Sequence, residues 1–162
     1  MATTAKLVAA TQGAFASLMT TELNALGNGN AIRGSTSVDN ATNLDVFVEF
    51  GFLGGGSTTL AGTPFLSLYL YLLNGDASTY GDGRFGAAAV GPPPASYFVG
   101  YMGTLATGAT TLVGTFSRPD GQGTLIQLPR GIWRPVLYNA TGVATAATGN
   151  VLYYRTTNYQ FI

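Results

Sequence analysis

The sequence contains no histidine and no cysteine among its 162 residues. Histidine titrates near neutral pH and is the commonest metal ligand, and the cysteine thiolate is a strong nucleophile. Their joint absence removes the usual general base, the thiol nucleophile and the most frequent zinc and copper ligands. Charge is scarce too, with charged residues making up 9% of the chain where an ordinary soluble domain has roughly 25%. Seven basic residues cancel seven acidic ones. Arg33, Arg84, Arg118, Arg130, Arg134 and Arg155 are scattered, so no electrostatic footprint for nucleic acid forms. Without cysteine there is no disulfide, and the redox compartment is unreadable. The longest apolar stretch, Phe65 to Leu73, falls far short of the roughly 20 residues that span a bilayer. Leu7-Val8-Ala9-Ala10, after Lys6, is too short for the ~7–15 apolar residues of a signal-peptide core. No membrane anchor is expected.

What is abundant is glycine, at 23 residues, and aromatics: nine Tyr, nine Phe and one Trp. A chain near this length fits one domain, and it buries roughly 68–70% of its unfolded surface without disulfides. Near-zero net charge gives little repulsion to keep folded molecules apart. Lys6 is the only lysine available to guard strand edges. Such a surface is expected to be covered by other chains; the alternative is a polar, uncharged Thr/Asn/Gly surface that is simply soluble.

Phe15, Leu18, Met19, Leu23 and Leu26 fall at helical spacing. Thr11 is placed to cap such a helix and Gly27-Asn28-Gly29-Asn30 to stop it. From there the period is two. Leu44, Val46, Val48, Phe50 and Phe52 alternate with a mixed face of Asp45, Phe47, Glu49, Gly51 and Leu53. Leu66, Leu68, Leu70 and Leu72 predict the core face of a second strand, with Tyr69 and Tyr71 on its other face. Further strands are expected at 97–102, 109–117, 124–128, 132–138 and 151–156, with a weaker one at 32–38. Pro135 places its strand at an edge or a bulge, and Pro92-Pro93-Pro94 makes a stiff extended spacer. About eight strands separated by turns predict an all-β, jelly-roll-like sandwich over 31–162, preceded by a short helix or arm over 1–30.

The catalytic inventory is nearly empty. Asp45 and Glu49 share one strand face, but four residues put their backbones roughly 13 Å apart. Glycosidase carboxylate pairs sit at about 5–5.5 Å or 6.5–9.5 Å, so a glycan-cleaving role is disfavoured. Asn74, Asp76, Ser78, Tyr80 and Asp82 alternate oxygens as a calcium loop does, yet Thr79 and Phe85 replace the Gly and Glu of the EF-hand pattern. The glycine-rich stretches 27–34 and 51–56 lack the lysine and the context of a phosphate loop and predict turns. A Ser–Lys dyad depends on Lys6 alone. No cofactor and no metal is expected. Exposed aromatics remain as binding groups, from Tyr69, Tyr71, Tyr97 and Tyr101.

The C-terminal third runs Leu128-Pro129-Arg130-Gly131, a strand, Asn139-Ala140-Thr141-Gly142, a small-residue turn, Gly149-Asn150, a strand, Tyr154-Arg155. Together with Asn43–Val48, Gly62–Leu70 and Tyr80–Gly83, this resembles a group of tailed-bacteriophage virion proteins encoded among the head genes. The resemblance spans most of residues 20–157. It implies a non-enzymatic jelly-roll protein, often a trimer, that decorates or cements a capsid by binding the major capsid protein on the virion surface. It brings no catalytic residue. The runner-up is a tail or fibre module that binds host glycans through exposed aromatics. Interface candidates are Leu7, Val8, Phe15, Leu18, Tyr69, Tyr71, Tyr159, Phe161 and Ile162. The apolar residues near both ends are expected to dock on a neighbouring subunit or the capsid shell, since each buried Phe or Ile is worth roughly 1.5–3 kcal/mol.

Overall fold

A computed structural model describes residues 7–9, 12–41, 47–73, 88–102, 108–128, 130–157 and 159–161. They form thirteen strands, all paired antiparallel. The first sheet runs β2 (Ala16–Met19), β12 (Val151–Thr157), β5 (Phe47–Gly55), β10 (Ile126–Gln127), with β9 (Thr111–Thr115) also on β5. The second runs β7 (Ala88–Val90), β3 (Asn30–Arg33), β11 (Ile132–Ala140), β6 (Phe65–Leu72), β8 (Phe98–Met102), with β4 (Val38–Asp39) also on β11. Among the described residues, β1 (Leu7–Ala9) and β13 (Tyr159–Phe161) pair with each other as a two-stranded ribbon. The chain is all-β, a sandwich of two antiparallel sheets. The count exceeds the expected eight because several strands are pieces of two or three residues.

The core lies between the sheets and follows the alternation. Val48, Phe50 and Phe52 of β5 meet Leu66, Leu68 and Leu70 of β6, with Leu112, Phe116, Leu137 and Leu152 completing the cluster. Leu72, expected on that face, is exposed at the strand end. β11 is central, with β6 on one side and β3 and β4 on the other. Pro135 is tolerated there because it faces the interruption between β3 and β4. Its carbonyl accepts from Gly34 N–H at 2.9 Å on that side, and the ladder to β6 runs on unbroken. The edge placement is therefore corrected, and the irregularity sits in the partner strands.

The expected N-terminal helix does not form. Residues 16–19 are a strand on β12 and Thr21–Leu23 a single 3-10 turn. The register of β2 on β12 shifts by one between Leu152 and Tyr153. Two successive residues, Leu18 and Met19, are consequently buried in the core. A bulge followed by a tight turn thus reproduces helical spacing. Nor do these residues stand off as an arm, because Leu18, Met19 and Leu23 pack into the shared core.

Buried polar groups tie the 23–28 segment to the 139–150 segment. Asn139 Nδ2 donates to the carbonyls of Leu26 (2.8 Å) and Val143 (2.9 Å), and Thr141 donates its N–H and hydroxyl to Asn139 Oδ1. Leu26 N–H donates to Thr145 Oγ1, which donates to Leu23 O. Asn150 Nδ2 reaches Ala146 O and Asn24 Oδ1. Gly142 has φ 83°, and a Cβ there would lie 2.9 Å from the Ala61 carbonyl, so only glycine fits. The Asn-x-Thr-Gly and Gly-Asn motifs are thus structural.

Candidate functional site

The outer face of the first sheet is built by three neighbouring strands. Across it, Leu53 of β5 lies between Val113 of β9 and Val151 of β12. In the next outward row Gly51 lies between Thr115 and Tyr153, and beyond it Glu49 faces Arg155. Because Gly51 has no side chain, the row it occupies sinks below its neighbours. A Cβ built there would meet only ordinary contacts, with Gly114 O at 3.5 Å and Phe15 Cε1 at 4.0 Å. The result is an open groove of about 450 Å³, lined by Phe15, Gly51, Leu53, Val113, Thr115 and Tyr153 with Phe52 and Gly114 behind them. Phe15 is 43% exposed, Leu53 44% and Val113 57%. These three account for half of the exposed large apolar side chains among the described residues; Phe65, Leu72 and Tyr101 are the others, placed elsewhere.

One charged pair borders the groove and is satisfied within the chain. Arg155 donates through Nη2 and Nε to Glu49 Oε2, at 2.6 and 2.8 Å. Gln12 Nε2 and Thr124 Oγ1 donate to the same carboxylate at 3.5 and 3.4 Å. The guanidinium also lies over the Phe15 ring, 4.4 Å from its centroid. Glu49 is therefore committed to a structural pair, and Asp45, the carboxylate on the same strand face that spacing already disfavoured as a catalytic partner, lies outside the described residues. So do Lys6 and the Asn74–Asp82 loop. No group of three or more metal-ligating side chains occurs among the described residues, and no helix there is long and apolar enough to cross a membrane.

The expected interface residues fall into three places. Phe15 lies in the groove. Leu18 belongs to the core, and Tyr69 and Tyr71 are buried in a second, smaller cluster with Ala31 and Val136 on the outer side of β6 and β11. Those three are corrections: they fill the monomer and offer nothing to a partner. Burial pushes the Tyr69 phenol up, only partly opposed by the hydrogen bond to Ser67, and its ring tilts against Phe98 at 5.4 Å. Leu7, Val8, Tyr159 and Phe161 lie in the ribbon, with Leu7 opposite Phe161, Val8 opposite Gln160 and Ala9 opposite Tyr159. Ile162 is outside the described residues. Leu53, Val113, Tyr153 and Arg155 were not among the candidates, although Leu53 and Gly51 on a mixed strand face were the signal for the groove.

A second recess of about 360 Å³ opens between β8 and β10, where Trp133, Phe98 and Leu70 meet Ser96 and Gln127. No protein-family model, no curated protein and no solved structure matches the chain.

Proposed function

We propose that the chain is a non-enzymatic virion structural protein, a decoration or cement protein that docks on the major capsid protein of a tailed-phage head and self-associates as a trimer. The observation that carries this reading is the apolar groove: a rigid sheet face with its charges neutralised internally, suited to burying another protein's apolar side chains. The sparse charge of the whole chain and the resemblance of residues 20–157 to head-gene virion proteins point the same way. On a repeating shell each contact can be modest, because many copies act together.

The jelly-roll form of the sandwich belongs to the same proposal. The eight principal strands, taken in chain order as β2, β3, β5, β6, β8, β9, β11 and β12, run 1-8-3-6 in one sheet and 2-7-4-5 in the other. That nested order is the one a rolled-up antiparallel ribbon produces. A glycan-binding tail or fibre module is the second reading, favoured by the recess in which Trp133 stands beside Ser96 and Gln127.

Immunogold labelling of virions from the genome that encodes the chain tests the first reading, with gold expected over the head lattice. Label on the tail alone would favour the second, and unlabelled virions would sink both. Re-addition of the purified chain to shells lacking it should restore labelling, and Leu53→Lys should reduce it at least tenfold.

A further inference from the structure

The recess beside Trp133 is one half of a longer trough. A neighbouring hollow of about 330 Å³ lies along Arg118, Pro119, Asp120 and Ile126. Phe98, Val99 and Gln127 line both hollows, so the two run into each other between β8 and β10. A bulge makes one shared wall. The register of β8 on β6 shifts there, with Phe98 opposite Tyr69 and Gly100 opposite Leu68. Val99 is the extra residue, and bulges re-aim side chains in this way. On the other wall Ile126 is buried and Gln127 beside it is exposed, as alternation along a strand requires.

The two ends of the trough differ in chemistry. At one, Leu70, Leu72 and Trp133 give apolar and aromatic surface, with exposed Ser96 beside it. At the other, Arg118 forms an ion pair with Asp120, and both side chains are partly exposed. A tight turn holds that pair in place. Arg118 N–H donates to Gly123 O at 2.9 Å, Gly121 N–H to Arg118 O at 3.0 Å, and Gln122 N–H to Asp120 Oδ1 at 2.9 Å. A guanidinium has several N–H donors and a carboxylate several lone pairs, so the pair keeps donors and acceptors for a ligand while its net charge is zero.

We propose that the trough binds a neutral oligosaccharide, with one ring against Trp133 and the next beside the Arg118–Asp120 pair. A sugar ring offers a C–H face that packs on an aromatic ring and hydroxyls that both donate and accept. The trough supplies an aromatic surface, the Gln127 amide and the ion pair in that order. A charged ligand would meet no net charge there. A purely apolar one would strip water from Gln127 and the ion pair without replacing their hydrogen bonds. An added peptide strand needs a free strand edge, and β8 is already tied by reciprocal hydrogen bonds between Tyr101 and Ser117, at 3.1 and 2.9 Å. The assignment rests on the second reading above, whose recess is one half of the trough. It shares no residue with the groove on the first sheet, so docking through the groove does not use it.

Trp133 is the single tryptophan of the chain, so its emission in the purified full chain reports occupancy directly. The probes are neutral gluco-, galacto- and manno-oligosaccharides, their monosaccharides, and uronate-bearing or sulfated oligosaccharides as charged controls. Neutral oligosaccharides should shift the emission saturably and bind more tightly than their monosaccharides. Gln127→Ala, at an exposed position, should weaken binding by on the order of tenfold with an unchanged melting temperature. Arg118→Ala and Asp120→Asn should each bring the oligosaccharide down toward the affinity of the monosaccharide. If both leave that gap unchanged, the trough is overturned and the recess of the second reading stands. Preference for charged sugars, or a saturable shift with capped Leu- or Phe-containing peptides and none with sugars, would overturn the neutral-sugar assignment. Saturable sugar binding with gold over the head alone would sink the tail placement and leave the trough standing.

Discussion

The outer faces of the two sheets are made of comparable residues and end in opposite states. On the second sheet Tyr69, Tyr71, Val136 and Ala31 are buried, with Leu73, Phe98 and Tyr138 packed against them. On the first, Phe15, Leu53 and Val113 stand in solvent around Gly51. An apolar residue on the outer side of a strand is therefore no sign of an interface by itself. What marks a docking face is apolar surface that the chain's own elements leave uncovered, beside charges already paired.

Substitutions should separate the two faces by the quantity they change. Tyr71→Ala, at 1% exposure, is expected to cost about 3–5 kcal/mol in denaturant unfolding, as for other buried aromatics. If it cost under about 1 kcal/mol, the second face would be as dispensable as a surface and the contrast would fail. Asn139→Ala should cost roughly 3 kcal/mol, because the Leu26 carbonyl and the Thr141 N–H lose their buried partner together and the Val143 carbonyl keeps only the Thr141 hydroxyl. Glu49→Gln at the rim of the groove should cost about 2 kcal/mol by leaving half-buried Arg155 without its counter-charge. The double change Leu53→Thr, Val113→Thr should move stability by no more than about 0.5 kcal/mol while weakening capsid binding, the reverse of the Tyr71 outcome.

The smallest effect is a pH dependence at the turn after β2. Glu22 accepts hydrogen bonds from the N–H groups of Thr20 and Ser35, both at 3.1 Å, and from the Ser35 hydroxyl. Burial alone would raise its pKa, but the hydrogen bonds together outweigh it and hold the carboxyl at about 2, below its ordinary 4.5. A depressed folded value means the stabilisation is fully present above pH 4.5 and fades as pH falls toward 2. Melting curves of Glu22→Gln should converge with wild type in that window and lie below it at neutral pH.

Much of the sandwich was legible because alternation reports burial directly: Val48, Phe50 and Phe52, and Leu66, Leu68 and Leu70, are core as their spacing predicts. The helix was misread because a bulge sets Leu18 and Met19 side by side in the core, and local spacing cannot tell a bulge from a helical turn. The placement of Tyr69 and Tyr71 was illegible for another reason. Which outer face a chain covers depends on contacts between residues far apart in sequence, such as Ala31 with Tyr69. Half of the groove was visible, in Leu53 and Gly51 on one strand; its other wall comes from β9 and β12, more than fifty positions away.

The hydrogen bonds that anchor Leu23 and Leu26 to Thr145 span separations of 122 and 119 residues, and Asn24 reaches Asn150 across 126. A nascent chain that has emerged only as far as β11 still lacks every one of those partners, and β2 still lacks β12, the strand it pairs with. Contacts of such long range place folding among the slow all-β proteins, on the order of milliseconds to seconds. Leu18, Met19 and Leu23 must therefore wait until β12 has been synthesised before they leave water. During that interval its apolar, weakly charged segments are open to wrong pairing, so its yield in a cell should depend on translation speed and on temperature more than on its final stability.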